Sequence, residues 1–276
     1  MLEKLQYKNH LGEVISFGEN GIYVNYNNLH DYGWDAISNN NKISGFTKGI
    51  VDMTIPVVIM CNSAAEGLAI RNELHEVCEK DVLAMQYGRL IIGDFYLKCY
   101  VRASKKSEYL ISKNYMQVDL TITTDTASWI SETMTMFRRA LEQEAVEGEF
   151  LDYDMDFPFD YASELNSKPL LNHNFIDSEF RMIIYGGCKN PSINIGGHIY
   201  QVNAELSEGE YLTIDSIEKT IILTKYNGEK VNKFNERNRE SYVFEKIPPG
   251  EHVVVWEGSF GFDITLLEER SEPKWI

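Results

Sequence analysis

The segment from residue 191 to residue 267 does most to limit the folds open to this chain. It consists of short runs rich in β-branched and apolar residues, of which Tyr211-Leu-Thr-Ile-Asp215 is typical. Turn-forming pairs such as Asn227-Gly228 and Pro249-Gly250 separate these runs at short intervals. Short strands divided by regular turn signals are typical of an all-β sandwich. Together with the runs that precede it from residue 157, the segment predicts about eight strands in a jelly-roll-like arrangement.

The first half of the chain also contains alternating strands. In residues 116–122, apolar residues at even positions alternate with polar residues at odd positions, the pattern of a half-buried strand. Residues 50–60 alternate in the same way, and Pro56 within them favours an edge position or a bulge. A hairpin is predicted over residues 89–101, with its turn at Gly93-Asp94.

One helix is predicted between these strands, over residues 64–79. Ser63 and Glu66 have the spacing of a capping box at its start. Apolar residues then follow at helical spacing, namely Ile70, Leu74, Val77 and Cys78. The first domain, residues 1–130, is therefore predicted to be a β-sandwich or split barrel with one packed helix.

The composition changes sharply after this domain. Residues 140–167 contain nine acidic residues and no basic one, so we place the domain junction near Ser131. The second domain is predicted to span residues 131–276 and to begin with this acidic entry segment. A short amphipathic helix is predicted from Met134 and Phe137 onwards. Near the N-terminus, residues 38–42 include three consecutive Asn residues and are interpreted as a mobile loop, with a disordered or partner-ordered arm as the alternative.

The formal net charge of −16 argues against nucleic-acid binding through phosphate contacts, which require clusters of Lys and Arg. The four cysteines are widely separated, which favours buried free thiols and synthesis in a reducing cytosol. No apolar run is long enough to span a membrane, and the first residues lack the apolar region of a signal peptide. We therefore expect no membrane association.

No catalytic, cofactor or metal site is predicted. Asp152-Tyr-Asp-Met-Asp156 begins like a calcium loop, but Phe157 stands where that loop needs Gly, and Ser163 where it needs Glu. The six histidines form no zinc motif, and no G-x-S-x-G nucleophile elbow is present. We therefore expect a protein that is not an enzyme. Trp256 is interpreted either as a core residue or as an exposed platform on which a sugar stacks.

The whole chain resembles the distal tail proteins of siphophages that infect Gram-positive hosts. In the first half, the strand over residues 115–124 runs into an aspartate and then an aromatic residue, as in that family. The family usually has Asp-Pro there, and Asp125-Thr126 departs from it. In the second half the resemblance lies in turn patterns, namely Phe157-Pro-Phe-Asp-Tyr161, Asn190-Pro191, Tyr211-Leu-Thr-Ile-Asp215 and Ile247-Pro-Pro-Gly250.

The resemblance implies a structural hub at the tip of a phage tail, made in the bacterial host cytoplasm. The N-terminal domain would form a homo-hexameric ring, and the galectin-like C-terminal domain would point outward. Expected partners are the tail tube protein, the tail-associated tip protein and receptor-binding or baseplate proteins, with DNA only as passing cargo. The alternating strands suggest the ring interface, with candidates Val51, Met53, Pro56 and Val58. The alternative function is a carbohydrate-binding module that recognises host cell-wall glycans, with Trp256 as the stacking residue.

Overall fold

The computed structural model describes residues 4–24, 27–106, 114–139 and 169–275. The chain divides into two compact units, of which unit 1 comprises Met1–Ser131 with Glu269–Ile276 and unit 2 comprises Glu132–Glu268. The C-terminal residues thus group with unit 1, whereas the sequence assigned them to the second domain. The prediction of a mainly β chain is confirmed, and the described residues contain a single α-helix.

Unit 1 is built from two antiparallel sheets that share one strand. Its strands are β1 (Leu5–Lys8), β2 (Val14–Phe17), β3 (Ile22–Val24), β4 (Asp35–Asn39), β5 (Lys42–Thr47), β6 (Val51–Met60), β7 (Gly88–Ile92), β8 (Phe95–Lys106), β9 (Tyr115–Thr124) and the start of β10 (Trp129–Phe137). One sheet has the order β10-β8-β7-β1-β2, and the other has the order β3-β6-β9-β8. The shared β8 pairs with β7 in its first half and with β9 in its second half.

A bulge allows β8 to serve both sheets. The register with β9 shifts between Val101 and Ala103, so that Val101 lies opposite Ile122 and Ala103 opposite Thr121. A bulge bends a strand and increases its local twist. Before the shift, alternate side chains of β8 from Phe95 to Val101 are buried in the core between the sheets. After it, the strand is exposed from Arg102 onwards.

The helix α1 (Ala64–Ala84) packs on this core through one face. Ser63 caps it by accepting a hydrogen bond from the backbone N–H of Glu66 at 3.2 Å, as the sequence predicts. The helix continues to Ala84, beyond the predicted end at residue 79. It ends at Met85, which takes the left-handed conformation with φ of 51°. Glycine is the usual residue at such an end, so a methionine there gave no stop signal.

A buried carboxylate joins α1 to the first hairpin. Asp81 is fully buried and accepts hydrogen bonds from the hydroxyl of Tyr7 and from the backbone N–H of His10. The imidazole Nδ1 of His10 also contacts Asp81. Burial, together with the hydrogen bond to Asp81, raises the pKa of Tyr7 far above its ordinary value, so this hydroxyl remains a donor. A Cβ at Gly88 would lie 2.3 Å from Asp81 Oδ2, so glycine is required there.

Unit 2 is a β-sandwich. Its strands after β10 are β11 (Leu170–Asn172), β12 (Glu179–Tyr185), β13 (Cys188–Lys189), β14 (Ser192–Ile195), β15 (His198–Gln201), β16 (Glu205–Leu206), β17 (Tyr211–Asp215), β18 (Thr220–Thr224), β19 (Lys230–Asn232), β20 (Gly250–His252), β21 (Val254–Trp256) and β22 (Phe262–Arg270), of which β22 ends in unit 1. The order β19-β18-β17-β12-β22 forms the largest part of its sheet structure, and β15-β14-β21 forms a smaller sheet. A 3₁₀-helix spans Phe234–Glu236.

Alternating burial of side chains accounts for the strands of unit 2. Alternate residues of β12, namely Phe180, Met182 and Ile184, are completely buried in the core of unit 2. The predicted turn at Gly196-Gly197 joins β14 to β15, and both glycines have positive φ. Two-residue hairpin turns require such backbone angles.

The predicted short helix from Met134 onwards is wrong, because these residues belong to β10. Trp129, Ile130 and Phe137 are buried, whereas Met134 is 53% exposed. The β-branched Thr133 and Thr135 between them favour a strand over a helix. The rest of that prediction, and the acidic entry segment 140–167 with its calcium-like motif, lie outside the described residues.

Asp81→Ala is expected to destabilise the chain by about 3 kcal/mol, because it leaves the buried Tyr7 hydroxyl and His10 without their acceptor. Urea unfolding followed by circular dichroism measures the change. Glu76→Ala is the matched control, since Glu76 is an exposed acidic residue of the same helix, and it should change stability by less than about 0.5 kcal/mol. Equal effects of the two substitutions would contradict this account of Asp81.

Candidate assembly surface

The hairpin formed by β4 and β5 is the most exposed element of unit 1. Its two strands pair with each other and, among the described residues, with no third strand. The turn contains Asn40 and Asn41, with φ of 50° and 61°. Asparagine tolerates this left-handed region, and two such residues in succession form the type I′ turn that joins tight hairpins. The interpretation of residues 38–42 as a mobile loop is therefore wrong: the Asn run is the turn.

A bulge gives this hairpin one apolar face. Ala36 lies opposite Phe46 and Ser38 lies opposite Ile43, with the register shifting between Ile37 and Ser38. Without that shift, Ile43 and Phe46 would point to opposite faces, because they are three positions apart. With it they share a face, on which Ile43 is 64% and Phe46 59% exposed.

The base of the hairpin is fixed to unit 1. The ammonium of Lys48 lies 4.4 Å from the ring centroid of Trp34, which is itself 51% exposed. The same ammonium donates a hydrogen bond to the carbonyl of Ala127 at 2.7 Å. Partial burial lowers the pKa of Lys48, and the nearby Glu269 opposes that shift. The hairpin is thus held at its base while its apolar face remains uncovered.

An amphipathic hairpin with an exposed apolar face lacks the packing surface that normally stabilises such an element. Isolated two-stranded hairpins are at best marginally stable in water, and a third strand or a packing surface normally stabilises them. All residues of β4 are exposed, and so are all residues of β5 except Gly45. Clustered exposed apolar side chains of this kind are typical of interaction sites.

The strand β6 has a second feature suited to protein contact, namely an unpaired backbone edge. It pairs with β9 along its whole length, whereas β3 pairs only with Val57, Val58 and Ile59. Among the described residues, Val51–Pro56 therefore has a free edge. Such an edge presents unpaired N–H and C=O groups to another strand, and Pro56 removes one N–H from this stretch.

The structure places the four predicted interface residues of β6 differently from one another. Met53 and Val58 are each only 8% exposed, so their side chains are buried within the chain. Val51 and Pro56 are half-buried. What β6 presents to a partner is therefore its backbone edge rather than an apolar side-chain surface.

Neither a protein-family model nor a curated protein matches the sequence. Solved structures do match its fold over almost the whole chain. The SPP1 Dit protein, described as a hub of the adsorption apparatus in Gram-positive-infecting phages, aligns with a TM-score of 0.61 at 8% identity, covering 98% of this chain and 100% of that one. This chain has the Dit fold.

Chains of the activated phage P2 baseplate show the same similarity. One, solved with Ca, aligns with a TM-score of 0.63 at 12% identity, and one solved with Sr aligns with a TM-score of 0.63 at 11% identity. Each alignment covers 99% of this chain and 100% of the baseplate chain. At such identities the fold is shared while the side chains have diverged, so the chemistry of this Dit fold must be argued from its own residues.

In unit 2 of this Dit fold, Trp256 lies on the core side of its sheet. It is opposite Ile193, which is fully buried, and its indole N–H donates to the carbonyl of Phe260 at 2.9 Å. Its ring meets those of Phe137 and Phe262 edge to face, with centroids 5.7 and 5.4 Å apart. Trp256 is nevertheless half-buried rather than fully enclosed, because it lies at the end of β21.

Burial keeps three cysteine thiols of this chain protonated, namely those of Cys78, Cys99 and Cys188. Burial raises the pKa of Cys78 to about 12 and that of Cys188 to about 11, so neither forms a nucleophilic thiolate near neutral pH. Burial also raises the pKa of Cys99. Among the described residues, no group of three or more His, Cys, Asp or Glu side chains could hold a metal ion. Among the described residues, no helix is both long enough and apolar enough to cross a membrane.

Trp256→Ala is expected to destabilise unit 2 by about 2–3 kcal/mol, because it removes a ring that packs against Phe137 and Phe262. Thermal and urea unfolding measure the loss. Tyr226→Ala is the control, since Tyr226 is an aromatic residue of the same unit that is 82% exposed, and it should cost less than about 0.5 kcal/mol. A Trp256→Ala variant with unchanged stability would show that the ring contributes nothing to the core.

Proposed function

We propose that this chain is a structural hub of a phage-type tail tip or baseplate, which joins the tail tube to tip and receptor-binding proteins. The observation that carries the proposal is the match of fold over 98% of the chain to the SPP1 Dit protein, itself described as a hub. The P2 baseplate chains support it, since they match over the same length. The virion tail tip is the corresponding location.

We propose further that the chain forms a ring of identical copies, six as in the family it resembles. Two features of unit 1 support self-association, namely the apolar face of the β4–β5 hairpin and the free backbone edge of β6. The hairpin provides apolar contact and the edge provides directional hydrogen bonds, which fix how neighbouring copies are oriented. In a closed ring each copy both offers and receives such a contact, so no open surface remains.

The acidic balance of the chain suits a tube through which DNA passes. The formal charge of −16 repels phosphates at a distance and discourages the DNA from sticking. We propose that DNA is passing cargo and not a ligand. A lumen lined by Lys and Arg in the assembled ring would contradict this.

The proposed role is structural rather than enzymatic. A scaffold needs strands, turns and contact surfaces, and these are the features argued above. The buried carboxylate of Asp81 accepts hydrogen bonds from Tyr7 and from the backbone of His10. This geometry joins a helix to a hairpin, which is a stabilising role.

The double substitution Ile43→Ser with Phe46→Ser is expected to weaken self-association at least about tenfold, because both apolar side chains would be buried between copies. Sedimentation velocity over a concentration series measures the effect. The melting temperature should stay within about 2 °C of the parent, since neither side chain contributes to the core of unit 1.

Ile37→Ser is the matched control for this experiment. Ile37 belongs to the same hairpin and is 49% exposed, but its side chain points to the opposite face. Its substitution should leave association within about twofold of the parent. Equal losses from both faces would contradict the assigned contact, and a parent chain that stays monomeric at its highest soluble concentration would contradict the ring.

A further inference from the structure

The outer face of the small sheet β15-β14-β21 in unit 2 carries a cavity of about 390 Å³. Asn194 lines it from the middle strand β14, directly opposite Ile199 on β15 and Val255 on β21. These two aliphatic side chains are 41% and 59% exposed, although they point away from the core. The face therefore combines exposed apolar groups with a central carboxamide.

Polar side chains surround this apolar floor. Asn190, Ser192 and Glu257 line the cavity together with Asn194. The carboxamide oxygen of Asn194 accepts a hydrogen bond from the backbone N–H of Gly197 at 2.9 Å, which orients the amide and leaves its N–H₂ group as a donor. One oxygen of Glu257 accepts from the hydroxyl of Ser259 at 2.7 Å, so the other remains an acceptor.

The charges around the cavity limit what it could hold. Among the described residues that line it there is no Lys, Arg or His, and Glu257 carries a negative charge. An anionic ligand such as a phosphate or a carboxylate would be repelled, since anion sites need cationic or backbone N–H donors. A purely apolar ligand would leave the carboxamides and the carboxylate unpaired. A ligand that suits this lining is therefore not anionic, and it carries hydrogen-bonding groups such as hydroxyls beside an apolar surface.

We propose that this cavity binds a neutral pyranose unit of a polysaccharide. The hydroxyls of a pyranose would pair with Asn190, Asn194 and Glu257, and its C–H face would contact Val255 and Ile199. The cavity volume lies in the range typical of small-molecule sites. This binding activity is separate from the proposed hub function, because it uses the outer face of unit 2 and needs no assembly.

The role of Trp256 changes in this site. Its ring packs on the core side of the sheet, yet the residue also lines the cavity. It therefore supports the end of β21 from beneath and contributes to the wall, rather than acting as a free stacking platform. The face that meets the sugar is aliphatic, formed by Val255 and Ile199.

Saturation-transfer NMR tests the site on the full chain with four neutral probes, namely D-glucose, D-galactose, N-acetyl-D-glucosamine and N-acetyl-D-galactosamine. At least one should bind with a dissociation constant on the order of 1 mM, as expected for so small a ligand. Val255→Arg should weaken that binding at least about tenfold, because the long side chain fills the cavity.

Val253→Arg is the matched control, because Val253 precedes β21, is 62% exposed and does not line the cavity. It adds the same charge and bulk nearby and should leave sugar binding within about twofold of the parent. Absence of transfer to all four sugars, or equal losses from both arginine variants, would overturn the proposal. The Ile43→Ser with Phe46→Ser chain should bind sugar normally. Sugar binding by NMR and self-association by sedimentation therefore test the site and the ring independently.

Discussion

The hydrogen bonds of the buried Asp81 carboxylate determine how helix α1 packs against the first hairpin of unit 1. A buried polar group is stable only where hydrogen-bond partners contact it, and Tyr7 and the backbone of His10 supply those contacts. Helix α1 is therefore rotated about its own axis so that Asp81 faces the first hairpin. Gly88 leaves the space that this contact needs, which also fixes the start of β7. The apolar face of the helix then packs on the core of unit 1 in this one orientation.

The β4–β5 hairpin has no comparable anchor along its length. Lys48 holds its base, but the apolar face that carries Ile43 and Phe46 contacts solvent. The same device, a bulge, has opposite effects in two places of unit 1. In β8 the bulge lets one strand complete two sheets around a core, whereas in the hairpin it brings apolar side chains to a face that the described residues leave exposed. The proposed assembly would cover this second arrangement with a neighbouring copy.

Unit 2 presents a different kind of surface. Its core is closed by fully buried side chains such as Phe180 and Phe262, and its small sheet turns a mixed polar and aliphatic face outward. The two units therefore differ in what they can recognise. Apolar side chains and a free strand edge suit contact with another protein, while carboxamides beside Val255 suit a small hydroxylated ligand.

Much of the fold follows from local pattern. Alternation in β6 and β9, the Ser63 cap and the Gly196-Gly197 turn each depend on neighbouring residues, so local sequence is enough to predict the fold class and most of the strands. It also contained the signal for the hairpin turn, since two Asn residues in the left-handed region form such a turn.

Contacts between residues far apart in the chain, and the positions where alternation is interrupted, depend instead on how the strands pair in the folded chain. Tyr7 reaches Asp81 across 74 positions of the chain, and Trp256 faces the core because of the strand on which it lies. The bulge beside Ser38 moves Ile43 to the face of Phe46 by a register shift that no local pattern reports. Periodicity is a property of adjacent residues, whereas pairing depends on the free energy of contacts that exist only once the chain has folded.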